Sequence, residues 1–338
     1  MFVMRDRQDP TLNINSSARK KVLFLSDLDG TWLSKKPENR AKLDKEILEI
    51  RDEYRTRGVD LKFGFITARP PQRTAKENLP APDWTVTYNG AKISRGGPGK
   101  KAPSGEFVAQ KADEKWVETN RATGFNTLTA ARQLDGLLEQ KQFSNLTIKT
   151  VGEVVDNPSA DANEFTAAIC VDQESIKLTK SEKRDANKNG IPDLFEAETF
   201  APPKQLQRLV KALDQKLEEE GVGHQVSPLY LFHGKPYVMF DVASPHANKG
   251  DAVTFLQQQE QVTPEHTIVA GDGGNDIAMM TGPDGKDEGR RSIVVGGDAG
   301  LTGAAAKLRN SILRPAKEDS SLGVLAGLRQ HLDAIVLA

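Results

Sequence analysis

A chain of 338 residues is longer than one typical core, so two domains are expected. Apolar residues make up 37% and charged residues 28%, with 46 basic against 47 acidic side chains and a formal net charge of −1. That balance argues against nucleic acid as a partner, and no apolar run approaches the roughly 18 residues that a membrane-spanning helix needs.

A single cysteine, Cys170, rules out an internal disulfide framework and suits a reducing, cytoplasmic compartment. It lies in the apolar run AAICV and reads as an inert core thiol. Residues 1–20 lack an apolar segment of signal-sequence length and read as a flexible polar N-terminal tail. Next, Lys21 to Leu25 is short and apolar, as for a strand buried on both faces. It runs into FLSDLDGTWLS, which carries Asp27 and Asp29. Side chains alternate along a strand, so these two carboxylates are expected on the same side.

Arg40 to Arg57 has Leu43, Ile47, Leu48 and Ile50 at helical spacing. LKFGFIT reads as a second buried strand ending at Thr67, and WTVTYNGAKI as a third. Within it, Asn89 either shapes a tight Asn-Gly turn or touches a ligand. Strand–helix alternation of this kind predicts a parallel sheet with right-handed crossovers. The segment 91–239 departs from that grammar. It opens on the Gly/Pro/Lys loop SRGGPGKKAPSGE and continues with helices at Leu128–Gln140 and Lys204–Glu220 and strands in NLTIKTV, EFTAAICVD and HQVSPLYLF. The alternation then resumes with the helix GDAVTFLQQQEQ, the strand HTIVAGD ending at Asp272, the short helix NDIAMMTG and the strand RSIVVGG. The expectation is an α/β core, 21–90 and 240–338, interrupted by an α+β insertion. Ligands of open parallel sheets sit beyond the strand C-termini, where the polar residues collect.

Two like charges about 4 Å apart repel by roughly 4 kcal/mol at an effective dielectric near 20. Asp27 and Asp29, with Asp272 as a third carboxylate, therefore call for a divalent cation held by oxygen ligands.

In order along the chain, SDLDGT, FGFITAR, NKGDA and GDGGNDIAM resemble the four motifs of haloacid dehalogenase (HAD) superfamily phosphatases with a large cap between the second and third motifs. The resemblance covers roughly residues 21–90 and 240–300, and no quoted motif falls in the cap. It implies a Rossmannoid core with a parallel sheet, an α+β cap, and Mg2+-dependent hydrolysis of a small phosphate ester. By the same resemblance, Asp27 is the nucleophile that becomes an aspartyl phosphate. Asp29 is the acid and then the base. Thr67 is implied on the phosphate and Lys249 offsets its charge, with Ala68, Arg69 and Asn89 as further candidate contacts, Arg69 being equally well an exposed surface arginine. Mg2+ is implied on Asp27, the backbone carbonyl of Asp29, and Asp272, with Asn275 and Asp276 completing or orienting the shell.

Trp32 makes SDLDGTW similar to the SDLDxTW opening of sucrose-phosphate phosphatase-like and Cof-type members. That points to a sugar phosphate, although packing beside the sheet also explains a tryptophan there. Phosphoryl transfer to a second alcohol, or a non-catalytic member that senses calcium or a sugar phosphate, are the alternatives. Tyr230, His233 and Lys235 are either cap contacts or ordinary strand-loop residues, and the oligomeric state is left open.

Inside the cap, DANKNGIPDLFE fits the calcium-loop pattern D-x-[DN]-x-[DN]-G-x5-E. Asp185, Asn187, Asn189, Ile191, Asp193 and Glu196 occupy the ligand positions, and Gly190 supplies the turn. Pro192 in place of the usual apolar residue, and two neutral asparagine ligands, point to modest affinity, and the segment is either a Ca2+ site that shapes the cap or a metal-free polar turn.

Overall fold

The computed structural model describes residues 19–338 apart from 105, 157–162, 187, 190, 196–199, 233, 283, 297 and 315–317. The chain opens with β1 (Lys20–Ser26), α1 (Pro37–Thr56), β2 (Val59–Ile66), α2 (Pro71–Ala75), β3 (Trp84–Thr87) and β4 (Lys92–Arg95). A hairpin of β5 (Gly99–Lys101) and β6 (Phe107–Ala109) leads to α3 (Glu114–Arg121). Next come α4 (Thr127–Leu138), β7 (Ile148–Thr150), α5 (Val151–Val154), β8 (Thr166–Asp172) and α6 (Lys204–Glu219). They are followed by β9 (Gln225–Val226), β10 (Tyr230–Leu231) and β11 (Tyr237–Ala243). The chain closes with α7 (Lys249–Glu260), β12 (Thr267–Gly271), α8 (Ile277–Thr281), β13 (Arg291–Val294), α9 (Ala299–Ala305), β14 (Ser311–Leu313) and α10 (Ser320–Leu337).

The first sheet runs β14-β13-β12-β1-β2-β3-β4, with β1 at its centre in parallel register with β2 and β12. Every residue from Val22 to Leu25 is fully buried because apolar layers cover both faces. On one face Val22, Phe24, Phe63 and Phe65 meet Leu43, Ile47, Ile50 and Tyr54 of α1 and the inner stripe of α10. On the other, Leu23, Leu25, Val86 and Ile93 meet Val253, Phe255 and Leu256 of α7. The buried positions of α1 fall four, three and four residues apart, one stripe of a 3.6-residue period, and Pro37 opens the helix where no N–H is needed. Each such side chain taken out of water stabilises by about 1.5–3 kcal/mol, which holds the sheet at a fixed angle to its helices.

The second sheet runs β10-β11-β8-β7, with β9 also on β11. It is antiparallel and two-faced. Ile169, Val171, Val238, Phe240 and Val242 pack under Leu134 and Leu137 of α4 and Leu206, Leu209, Leu213 and Leu217 of α6. Cys170 points the other way and is buried with Tyr237 and Met239.

The expected changeovers at 90/91 and 239/240 do not coincide with the sheets. WTVTYNGAKI is two antiparallel strands, β3 and β4, folded about Tyr88–Gly90, so β4 stays in the first sheet. The loop SRGGPGKKAPSGE contains β5 and leads directly into β6. Trp116 of α3 packs on Phe255 at 5.0 Å and gives its indole N–H to Gly90 O at 3.0 Å. At the other end, all of β11 belongs to the second sheet. We propose crossings at Thr123 and Ser244 instead, whose hydroxyl oxygens lie 3.5 Å apart. Among the described residues, no helix is long and apolar enough to cross a membrane.

In the calcium-loop segment, Asp185 Oδ1 accepts the Asn189 N–H at 3.2 Å and Asn189 Oδ1 accepts the Ile191 N–H at 2.8 Å. Asp193 Oδ1 accepts the Ala186 N–H at 2.8 Å, and its other oxygen faces Arg184 at 3.5 Å. Asn187, Gly190 and Glu196 of that pattern, and His233, lie outside the described residues.

Candidate active site

Three strands and one helix deliver the site. Strand β1 ends at Ser26, so Asp27 follows directly and its N–H bonds Ala270 O of β12 at 2.9 Å. Asp272 follows β12, Thr67 follows β2, and Lys249 is the first residue of α7. Lys249 is fully buried, and its Nζ donates to Asp27 Oδ1 and to Asp276 Oδ1, each at 2.6 Å. Asn248 caps α7 by accepting the Asp251 N–H at 2.9 Å, fixing the turn from which the lysine departs.

Asp27, Asp272 and Asp276 bring one carboxylate oxygen each within 4.8 Å of one another. Asp276 is the most heavily bonded of the three. Its Oδ2 accepts the N–H groups of Asp272 and Gly273, both at 3.0 Å, and its Oδ1 holds Lys249. It therefore fixes the loop that bears Asp272 and leaves little room for a further partner. Thr31 Oγ1 donates to Asp272 Oδ1 at 2.8 Å. Gly30, at φ +75°, passes so close that a Cβ there would lie 2.1 Å from Asp272 Oδ2, so the position excludes any side chain.

Three acids share one ammonium, and the electrostatics follow. Burial pushes the Asp27 carboxyl up to about 7 against the pull of Lys249, and Asp276 and Asp272 add to the rise. Burial and Asp276 likewise raise Asp272, while Thr31 and Lys249 draw it down. For Lys249 burial favours the neutral amine, but Asp27 and Asp276 outweigh it and hold the proton more tightly than usual. The site carries uncompensated negative charge. An all-oxygen donor set in this condition fits a hard divalent cation such as Mg2+.

Asp29 lies three residues beyond the end of β1. The strand has ended before it, so strand alternation does not set its direction, and its side chain is 57% exposed. It takes the Arg69 guanidinium, with Nε on Oδ2 at 2.7 Å and Nη2 on Oδ1. It remains near enough to Asp272 to add to the negative field there. Arg69 is thus a paired residue and not a loose surface cation, and its Nη1 also bonds Glu77.

Thr67 is fully buried, and its Oγ1 accepts the Arg69 N–H at 3.2 Å. Ala68 is the exposed link between them. Asn89 gives its N–H to Thr67 O at 2.9 Å from a left-handed φ of 55°, while its buried Oδ1 has no hydrogen-bond partner among the described residues. The turn reading and the contact reading of Asn89 are therefore compatible. Asn275 is exposed. Trp32 is fully buried, 4.9 Å from Phe65, with its indole N–H on Asp44 Oδ1 at 2.7 Å, which is a core role. Tyr230 gives its hydroxyl to Asp241 Oδ2 at 3.1 Å, and Lys235 gives its N–H to Phe232 O in the β10–β11 turn. Sequence reasoning missed Thr31, although it sits inside SDLDGT. It also missed Glu77, which no motif marks.

A family model described as haloacid dehalogenase-like hydrolase matches residues 24–283. The chain belongs to that family. A curated HAD-like protein from Nitrosococcus oceani is 26% identical over 116 residues, and this alignment spans 34% of the chain and 29% of that relative's length. Among solved structures, the sucrose-phosphatase of Synechocystis sp. PCC6803, in complex with sucrose and phosphate, superposes with a TM-score of 0.58 at 18% identity, covering 92% of this chain and 98% of that one. A haloacid dehalogenase-like hydrolase protein of Bacillus subtilis gives 0.50 at 17% identity, over 93% and 95%. At these identities the likeness is one of fold, so the haloacid dehalogenase-like hydrolase fold extends over nearly all of this chain.

Proposed function

We propose that this hydrolase is a Mg2+-dependent phosphomonoesterase acting on a small phosphorylated metabolite, a sugar phosphate in particular. The observation that carries the reading is Lys249, buried and shared at 2.6 Å between Asp27 and Asp276 beside Asp272. In this reading an Asp27 oxygen attacks phosphorus and the bond to the leaving oxygen breaks, giving an aspartyl phosphate. Asp29 protonates the leaving alkoxide, then takes a proton from the water that hydrolyses the intermediate. Thr67 and the adjoining Ala68–Arg69 backbone receive the phosphoryl oxygens, and Lys249 offsets their charge. Asp27, Asp272 and the Asp29 carbonyl would hold Mg2+, with Asp276 orienting the loop. When bound, the ion supplies positive charge that lets a phosphate dianion approach the acids.

The sugar-phosphate part has its support in the fold likeness to the sucrose-phosphatase. Trp32 lends it none, being accounted for by packing. The same proposal keeps the protein in the cytoplasm, on its lone buried cysteine. It also assigns Ca2+ to segment 185–196, on the sequence pattern alone. Measuring inorganic phosphate released from a panel of phosphorylated metabolites tests the enzyme reading. Asp27→Asn should remove turnover, and chelation of Mg2+ should abolish it reversibly. Full activity of Asp27→Asn would end the proposal, and phosphate appearing on a second alcohol would convert it to a transferase.

A further inference from the structure

A half-buried ring of alternating charge leads from Asp29 back to its own loop. Arg69 bonds both oxygens of Asp29 and passes Nη1 to Glu77. Glu77 Oε2 accepts from Arg40 Nη1 at 3.2 Å, and Arg40 Nε lies 3.5 Å from Asp44 Oδ2. Asp44 Oδ1 accepts the indole N–H of Trp32 at 2.7 Å, and Trp32 is three residues beyond Asp29. The ring joins the loop after β1, the first turns of α1, the loop after β2 and the segment that follows α2.

We propose that Glu77, Arg40 and Asp44 are positioning residues for Asp29, acting through Arg69. The inference rests on Asp29 being the proton donor of the proposed reaction. A single exposed ion pair fixes little, because two long side chains keep their freedom. Among the described residues, Asp29 has no hydrogen-bond partner for its carboxylate besides Arg69. Its direction is therefore that of the guanidinium plane, a rigid fork. That plane is pinned on its far side by Glu77, whose own carboxylate is pinned by Arg40. The last link ends on Trp32, which is fully buried and packed against the Phe24 and Phe65 rings. A proton donor must stand within hydrogen-bond reach of the leaving oxygen, so small losses of aim are felt in rate.

The test compares kcat/KM for an alkyl phosphate and for p-nitrophenyl phosphate, whose phenolate departs without a proton. Glu77→Gln should lower kcat/KM about 10-fold on the alkyl ester and within about 2-fold on the nitrophenyl ester, a fraction of the full acid effect. In the Asp29→Asn background the same change should have no further effect on either ester. An equal loss on both esters, no loss, or an added loss in that background overturns the proposal. Should Glu77→Gln melt at the assay temperature, Asp44→Asn carries the same comparison from the other end of the ring. If the unaltered chain releases phosphate from neither ester, the phosphatase reading itself fails and this inference falls with it.

Discussion

Asp276 illustrates how one side chain does several jobs at the site. Its two oxygens accept three hydrogen bonds, from Lys249 and from the Asp272 and Gly273 amides, so it sets both the cation and the loop beneath Asp272. Replacement by asparagine keeps the shape but removes a charge and one acceptor. Either the ammonium or both amides then face an N–H. Groups that orient metal ligands without binding the metal typically cost 10–100-fold when altered. Asp276→Asn should therefore lower kcat by about 10–100-fold and raise the Mg2+ concentration for half-maximal activity. A titration of phosphate release against Mg2+ reads both. An unchanged half-saturation would remove Asp276 from this role. The prediction could not have come from the motif alone, where Asp276 and Asn275 look equivalent. Only the buried position of one and the exposed position of the other separates them.

At the scale of elements, the short apolar runs were legible because β1, β2 and β12 are buried on both faces and read as strands whatever surrounds them. Their ends named Asp27, Thr67 and Asp272 for the same reason. What the sequence hid were events decided by distant partners. Asp29 left the strand geometry to meet Arg69, forty residues on. Trp116 tied α3 to the first sheet although α3 lies beyond the expected boundary at 90/91.

His331 is a similar case, an unremarked histidine in α10 that packs into the first sheet with Ser292 O as its acceptor at 3.2 Å. Burial pushes its imidazolium down from 6.5 to about 4. The unfolded chain therefore takes up a proton below about pH 6.5 that the folded chain refuses until about pH 4. Stability attributable to His331 is whole above that window and falls as pH drops through it, by about 3 kcal/mol across the full range. Urea titrations of the parent and His331→Gln between those limits should diverge with this slope. Parallel curves would show that the histidine is not the group responsible.

Across the whole molecule, two sheets with separate apolar cores are joined through a small cluster of Tyr88, Ala91, Phe165, Ala243 and Ala247. Tyr88 of that junction and its neighbour Asn89 both have left-handed φ values, and Asn89 bonds Thr67 O, so the joint abuts the end of the first sheet that carries Thr67. Two ions are proposed, one in each unit, and their effects on stability should be separable. A ligand bound only to the folded form stabilises it by about 2.7 kcal/mol at one hundred times its dissociation constant. With EDTA-treated protein, Mg2+ should raise the melting of the unit that holds Asp27 and Asp272, and Asp272→Asn should cancel that rise. Ca2+ should raise the melting of the unit that holds segment 185–196, and Asp185→Asn with Asp193→Asn should cancel it while leaving the Mg2+ response intact. Differential scanning calorimetry of the three proteins with each ion distinguishes the two sites by which transition moves. A Ca2+ response that survives both substitutions, or that disappears with Asp272→Asn, would mean that calcium occupies the magnesium position and that the second unit holds no ion of its own.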